Sequence, residues 1–204
     1  MFDADLPLAL AIGYLLGSIP FGLILTRLAG KGDVRDIGSG NIGATNVLRT
    51  GSKGLAAATL ILDMLKGAAA VWVAQNYFQG AAGADQYAAA GALIGHLYPV
   101  WLKFRGGKGV ATLLGILTML MPTAALVYAI VWIGLLLIIR ISSVAGIAAA
   151  VSAPISAALL GASALFPMLL GFALLVVWKH RANLARLKAG TEPRIGRANA
   201  TGPD

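Results

Sequence analysis

The sequence predicts an all-α integral membrane protein, a bundle of seven transmembrane helices with its N-terminus outside and its C-terminus in the cytoplasm. Three observations predict it. The chain is 58% hydrophobic and only 12% charged over 204 residues, with a mean hydropathy of +0.82, which is more apolar surface than a soluble domain can hide. Glycine is abundant, at 26 residues, as suits helices packing closely in lipid. The net charge of +8 is unevenly placed: every Lys and Arg except Lys66 falls at or near one set of helix ends, whereas the opposite ends carry only Asp3, Asp5 and Asp85. The positive-inside rule then puts the basic loops in the cytoplasm. Part of this charge needs no further role than orientation and attraction to anionic lipid, Lys53, Arg140 and the tail arginines above all.

The first span covers about residues 7–28. It reads as a retained helix, because no basic stretch precedes it and Asp3 and Asp5 do. Pro20 removes a backbone donor and kinks this helix, and Gly17, Ser18 and Gly22 around it allow another helix to come close. A polar stretch follows to about residue 52, and the second span runs over about 54–77. That span holds Asp63 and Lys66, three apart on one face, which read either as an ion pair bracing the bundle or as support beneath a site. The third span, about 84–101, has His96 near its inner end, where a lone histidine is more often a satisfied interfacial residue than a catalyst. Span four follows at about 110–121, Pro122 marks a tight outer turn, span five returns to 139, residues 140–143 make a short inner turn, span six reaches about 160, and span seven covers about 163–178. Spans four to six bear almost no side-chain chemistry and read as scaffold with room for an acyl chain. There is no internal repeat. Residues 1–192 are expected to form a single transmembrane domain and 193–204 a disordered tail.

Three polar stretches fall on the cytoplasmic side. The first is Gly38-Ser39-Gly40-Asn41-Ile42-Gly43-Ala44-Thr45-Asn46-Val47-Leu48-Arg49. Its glycines let the backbone turn tightly, and Ser39 or Asn41 suits the cap of a short helix. If that helix forms, Asn41, Thr45 and Arg49 share a face suited to a phosphate, with Asn46 beside them. The second stretch runs from Lys103 through Gly106, Gly107, Lys108 and Gly109 to Thr112. Its glycines are expected to free backbone N–H groups for an anion or a developing oxyanion, with Lys108 adding full charge. It is not a Walker A loop, because Gly109 stands where Ser or Thr must follow the lysine. The third stretch follows span seven. If the helix continues, His180 and Asn183 share a face, and Gly190 ends it. A basic end lying on anionic lipid explains Arg181 and Lys188 but not that pair. Glu192 is expected to brace an arginine.

This set is rich in cations and neutral donors and poor in acids. It suits substrates that carry phosphate. It does not suit a metal site, paired-carboxylate catalysis or a nucleophile elbow, and no cofactor or nucleic acid is called for. The chain has no cysteine, so thiolate chemistry is absent. The His-x4-Asp pattern is missing too: Trp101 follows His96 at that spacing and Ala185 follows His180. A transporter of an organic phosphate would share the cationic loops, but transporters usually hold their site at the midplane, often between repeats.

The three motifs GSGNIGATNVLR, GGKGVAT and KHRANLARLKAGTE, with GSIPFG and the Asp63–Gly67 run, resemble those of the bacterial acyl-phosphate:glycerol-3-phosphate acyltransferases, the PlsY family. The resemblance covers about residues 13–192 and shows no departure at a motif position. It implies a multi-pass protein of the bacterial cytoplasmic membrane with its active site facing the cytoplasm. It implies transfer of a fatty acyl group from acyl phosphate to the 1-hydroxyl of glycerol 3-phosphate, giving lysophosphatidate and phosphate. By motif position, Ser39, Arg49, Lys108, His180 and Asn183 would hold glycerol 3-phosphate and the reacting groups, the loop Gly106–Gly109 would bind phosphate, and Glu192 would be structural. Because acyl phosphate is already activated, no covalent nucleophile is needed, and positioning and charge stabilisation suffice. The hydroxyl proton goes to His180 or to the substrate's own phosphate, the route the family favours.

Overall fold

The computed structural model of the chain describes residues 4–196, and these are helical with no strand among them. Two compact units divide the chain after Ala125.

The first unit opens with α1 (Asp5–Gly17) and α2 (Phe21–Leu28), the two halves of the expected first span. The break between them lies where the sequence places Pro20, which has no N–H to continue the helical ladder and sits at φ −91°, ψ 71°. The carbonyls that the break exposes are taken up by side chains from far along the chain. Trp101 Nε1 donates to the Ser18 carbonyl at 2.7 Å, and Lys66 Nζ donates to the Ile19 carbonyl at 2.7 Å. In an apolar surrounding such pairing is obligatory.

After a short α3 (Ala44–Val47), α4 (Lys53–Tyr77) starts at Ser52, whose hydroxyl accepts the Leu55 N–H at 3.3 Å. Its 25 residues reach roughly 37 Å, enough to cross the hydrocarbon core. Then follow α5 (Ala84–Leu97) and α6 (Val110–Leu120). Small residues set the packing. A β-carbon at Gly13 or Gly17 of α1 would strike the carbonyl of Ala88 or Ala92 in α5, and one at Gly91 or Gly95 of α5 would strike Leu10 or Tyr14 in α1. The two helices therefore touch backbone to backbone along a glycine seam, which is how helices gain contact where lipid supplies no hydrophobic drive. Gly67 and Gly115 serve α4 and α6 in the same way, against the carbonyls of Thr112 and Met64.

The second unit, from Leu126 onward, contains most of α7 (Pro122–Ile139), then α8 (Ser142–Leu159), α9 (Phe166–Lys179) and α10 (Arg181–Lys188). The helix α7 turns Ile130, Ile133, Leu137 and Ile138 outward, an apolar exterior that only lipid would tolerate. Tyr128 is its largest fully buried side chain.

Among the described residues, four helical stretches are long and apolar enough to cross a membrane: Asp5–Leu28, Lys53–Tyr77, Pro122–Ile139 and Ser142–Leu159. Each expected span has a helix, but α5, α6 and α9, at 14, 11 and 14 residues, are shorter than the roughly 20 residues of a full crossing. Part of the expected tail is described: the Ile195 N–H donates to the Arg140 carbonyl at 2.7 Å. Residues 197–204 and Asp3 lie outside the described residues.

Candidate active site

The first polar stretch folds around Asn46. This residue is 3% exposed, and its side-chain amide donates to the carbonyls of Val34 (2.7 Å), Asn41 (2.8 Å) and Ile37 (3.1 Å) while its oxygen accepts the Ser39 N–H at 3.0 Å. It was expected to face substrate. It is turned inward instead, where it pairs backbone groups of the loop that are buried with it. Ile42 and Val47 anchor the same loop in an apolar cluster with Leu23, Val34 and Leu102.

The expected single helical face holds only in part. The helix covers 44–47 and tightens into a 3-10 turn at 48–50, so Thr45 and Arg49 lie on it, both exposed, while Asn41 precedes it. Gly43 takes the capping position, and the Asn41 side chain accepts the Gly43 N–H at 2.9 Å. Ser39 is exposed beside Gly38, whose φ of +56° demands glycine. A β-carbon at Gly38 would stand 2.5 Å from Arg49 Cδ and 2.9 Å from Nη1. The arginine therefore lies across the turn that carries Ser39.

Asp33, which sequence reasoning passed over, disposes of two other cations. Its carboxylate accepts Arg35 Nη2 at 2.6 Å and Arg27 Nη2 at 2.7 Å. The hydrogen bond from Arg35 holds its carboxyl well below the usual range, with Arg27 adding to the effect. Arg49 makes no ion pair among the described residues, so its guanidinium faces the loop uncommitted to a carboxylate.

The glycine loop is built differently from expectation. The Gly106 N–H donates to the Leu97 carbonyl at 3.2 Å and the Gly107 N–H to the His96 carbonyl at 2.9 Å. Two of the N–H groups expected to face an anion thus cap the C-terminus of α5, whose last carbonyls need donors. Gly106, Gly107 and Gly109 are buried and Lys108 is half-buried. Gly109 caps α6 at φ +89°, and Lys103 and Phe104 just before the loop both take positive φ, 50° and 62°, a strained approach for non-glycine residues. Lys108 and the start of α6 follow directly after these capping groups. Thr112 of α6, expected at the site, is fully buried against Gly67 of α4. The two loops meet directly: Asn41 Nδ2 donates to the Gly106 carbonyl at 3.3 Å.

Beneath them lies a buried polar trio. Lys66 and Asp63 form an ion pair at 2.7 Å, and His96 Nδ1 stands 3.7 Å from the same Asp63 oxygen.

In the second unit the helix does not run on through the third motif. It breaks at His180, the C-cap of α9 and the residue preceding α10. His180 and Asn183 are nonetheless both buried, at 3% and 6% exposed. His180 Nδ1 lies 2.8 Å from the Val176 carbonyl, which can only accept, so Nδ1 is the donor of that hydrogen bond. Asn183 Nδ2 and Ser143 Oγ both donate to Glu192 Oε1 at 2.6 Å, and Arg186 Nε donates to Oε2 at 2.7 Å. Glu192 braces an arginine, as expected, and orients Asn183 as well. Burial works to raise its carboxyl, but the hydrogen bonds from Ser143, Asn183 and Arg186 outweigh burial and hold it low. Gly190 ends the helix region at φ +70°, also as expected. No group of three potential metal ligands occurs among the described residues.

These features have known counterparts. The crystal structure of PlsY, an integral membrane glycerol 3-phosphate acyltransferase, in its glycerol 3-phosphate form superposes with a TM-score of 0.88 at 36% identity, covering 95% of this chain and 96% of that one. The lysophosphatidic acid form gives 0.86 at the same identity. A glycerol-3-phosphate acyltransferase from Erythrobacter litoralis is 55% identical over 195 residues, 96% of this chain and 98% of its own length. One from Novosphingobium aromaticivorans is 59% identical over 189 residues, 93% and 94% respectively. The family model for glycerol-3-phosphate acyltransferase matches residues 7–190, nearly the whole chain, so this multi-pass membrane chain belongs to the glycerol-3-phosphate acyltransferase family.

Proposed function

We propose that the protein transfers a fatty acyl group from acyl phosphate to the 1-hydroxyl of glycerol 3-phosphate. The observation that carries this reading is the joined pair of loops: Arg49 lies across Gly38 beside Ser39, and Asn41 ties that loop to Gly106, two residues before Lys108. Two cations and a hydroxyl on one scaffold suit a phosphate ester held next to a reacting group.

In this reading Arg49 and Lys108 neutralise phosphate charge, while Ser39, Asn41 and Thr45 fix the glycerol. His180 and Asn183 line the reacting groups, and Gly107 and Gly109 shape the loop. The 1-hydroxyl oxygen attacks the acyl carbonyl carbon, the carbon–oxygen bond to phosphate breaks, and inorganic phosphate leaves. The hydroxyl proton passes to the substrate's own phosphate, whose second pKa is about 6. Residues 1–192 act as one domain of seven crossings in the bacterial cytoplasmic membrane, N-terminus outside, with the site open to the cytoplasm. The basic residues at one set of helix ends support that orientation.

The test is an assay of the purified protein in lipid with palmitoyl phosphate and glycerol 3-phosphate, following phosphate and lysophosphatidate together. Matched release that needs both substrates and disappears in Arg49→Ala is the expected result. Phosphate release without glycerol 3-phosphate would make the protein a hydrolase. No turnover by folded protein would overturn the reading.

A further inference from the structure

The imidazole of His96 lies directly under the glycine loop. A β-carbon at Gly107 would run into its Nε2 and Cε1, and the Gly107 N–H is bonded to the carbonyl of the same histidine at 2.9 Å. Gly107 does not take a positive φ, so its backbone would accept alanine, and the ring is what forbids a side chain there. The other edge of the ring faces Asp63, with Nδ1 3.7 Å from Oδ1. Asp63 is paired with Lys66 at 2.7 Å, and Lys66 Nζ is fixed on the Ile19 carbonyl at 2.7 Å. The ring thus stands between a clamped ion pair and the loop that presents Lys108. His96 is 3% exposed.

We propose that His96 is a positioning residue for the reaction: its ring, set by the Asp63–Lys66 pair, is the floor that fixes the height of Gly107 and so the reach of Lys108. This rests on the acyltransferase reading above. A floor acts through geometry, and a misplacement of about 1 Å at a reacting group costs on the order of 100-fold in rate.

His96→Asn separates the two edges of the ring. It keeps a polar group towards Asp63 and removes the atoms under Gly107. In the palmitoyl phosphate assay, His96→Asn is expected to raise the KM for glycerol 3-phosphate about tenfold, with a smaller fall in kcat. Gly107→Ala is expected to lose about 100-fold in kcat/KM. The double variant Gly107→Ala/His96→Asn is expected to recover at least about tenfold over Gly107→Ala, because the obstacle is gone. Gly106→Ala supplies the control. A β-carbon there meets the His96 carbonyl, which asparagine retains, so His96→Asn gives no recovery.

A merely structural histidine would lower the yield of folded enzyme and leave KM unchanged, and nothing would be rescued. A double variant as poor as Gly107→Ala, or a folded His96→Asn with wild-type constants, overturns the proposal. If His96→Asn yields no monodisperse protein, the same rescue is read with His96→Ala. A wild-type protein that makes no lysophosphatidate defeats the functional reading instead, and wild-type turnover is measured first to separate the two.

Discussion

Arg49 crosses the backbone of Gly38 so closely that a β-carbon there would stand 2.5 Å from its Cδ and 2.9 Å from its Nη1. The guanidinium is therefore placed by a missing side chain. Gly38→Ala is expected to push Arg49 off the loop, to press equally on Asn46 Oδ1, which also stands 2.5 Å from the new carbon, and so to lower kcat/KM for glycerol 3-phosphate about 100-fold. Gly51→Ala is the control for backbone strain alone, since Gly51 also has positive φ, +84°, but nothing lies where its β-carbon would be. That variant should stay within about threefold of wild type, with a stability cost of about 1 kcal/mol.

Asn46 holds the same loop from below. Asn46→Ala removes four hydrogen bonds and strands buried backbone groups, so thermal unfolding in detergent should show a loss of about 3 kcal/mol. Ser39 loses the partner of its N–H in that variant, and activity should fall further than the folded fraction does.

The network at Glu192 predicts a pH dependence of stability. Its folded-state pKa lies below the ordinary glutamate value of about 4.3. A depressed carboxyl contributes stability that is present above the unfolded value and is lost as pH falls through the folded one. Unfolding measured from pH 7 downwards should therefore show a plateau to about pH 5 and a decline below about pH 4. Glu192→Gln should lower the plateau, because one amide oxygen cannot serve Ser143, Asn183 and Arg186 together, and should flatten the acid limb. A variant whose acid limb matches wild type would assign the decline to other groups.

His180 offers a test of where the proton goes. If the substrate phosphate accepts it, the rate should rise with pH around 6 in His180→Gln as in wild type, whatever the height of the curve. Disappearance of that ascending limb in the variant would make Nε2 of His180 the base.

The glycine seam between α1 and α5 sets a stability prediction far from any chemistry. Gly17→Val should cost at least about 3 kcal/mol or prevent folding, because the carbonyl of Ala92 occupies the space. Gly134→Ala, with nothing within 4 Å of the new carbon, should be neutral or slightly stabilising in the same assay.

Helix positions, the break at Pro20, the Asp63–Lys66 pairing and the bracing role of Glu192 were all legible in the sequence. Each depends on neighbours within a few residues or on the apolar pattern that lipid imposes. What stayed hidden depends on contacts between distant segments. Nothing local distinguishes Asn46, turned inward, from Asn41, which reaches the next loop. The N–H groups of Gly106 and Gly107 looked available because the end of α5 that claims them is sequestered only by the turn at Lys103 and Phe104. Asp33 was passed over because an acid in a basic loop has no periodicity to mark it, yet it withdraws Arg27 and Arg35 and leaves Arg49 as the cation facing that turn.

The break between α1 and α2 bears on how the chain is made. Its exposed carbonyl at Ser18 waits for Trp101, 83 residues later, whereas the Ile19 carbonyl also accepts the nearby Phe21 N–H at 3.1 Å. At a synthesis rate of about 5–20 residues per second, the first segment spends about 4–17 s after translation of Ser18 before Trp101 exists. Unsatisfied carbonyls cost several kcal/mol each in hydrocarbon. The nascent first segment must therefore stay beside water or the insertion machinery until the third span has emerged, and release of the early helices into lipid becomes a concerted event timed by a tryptophan.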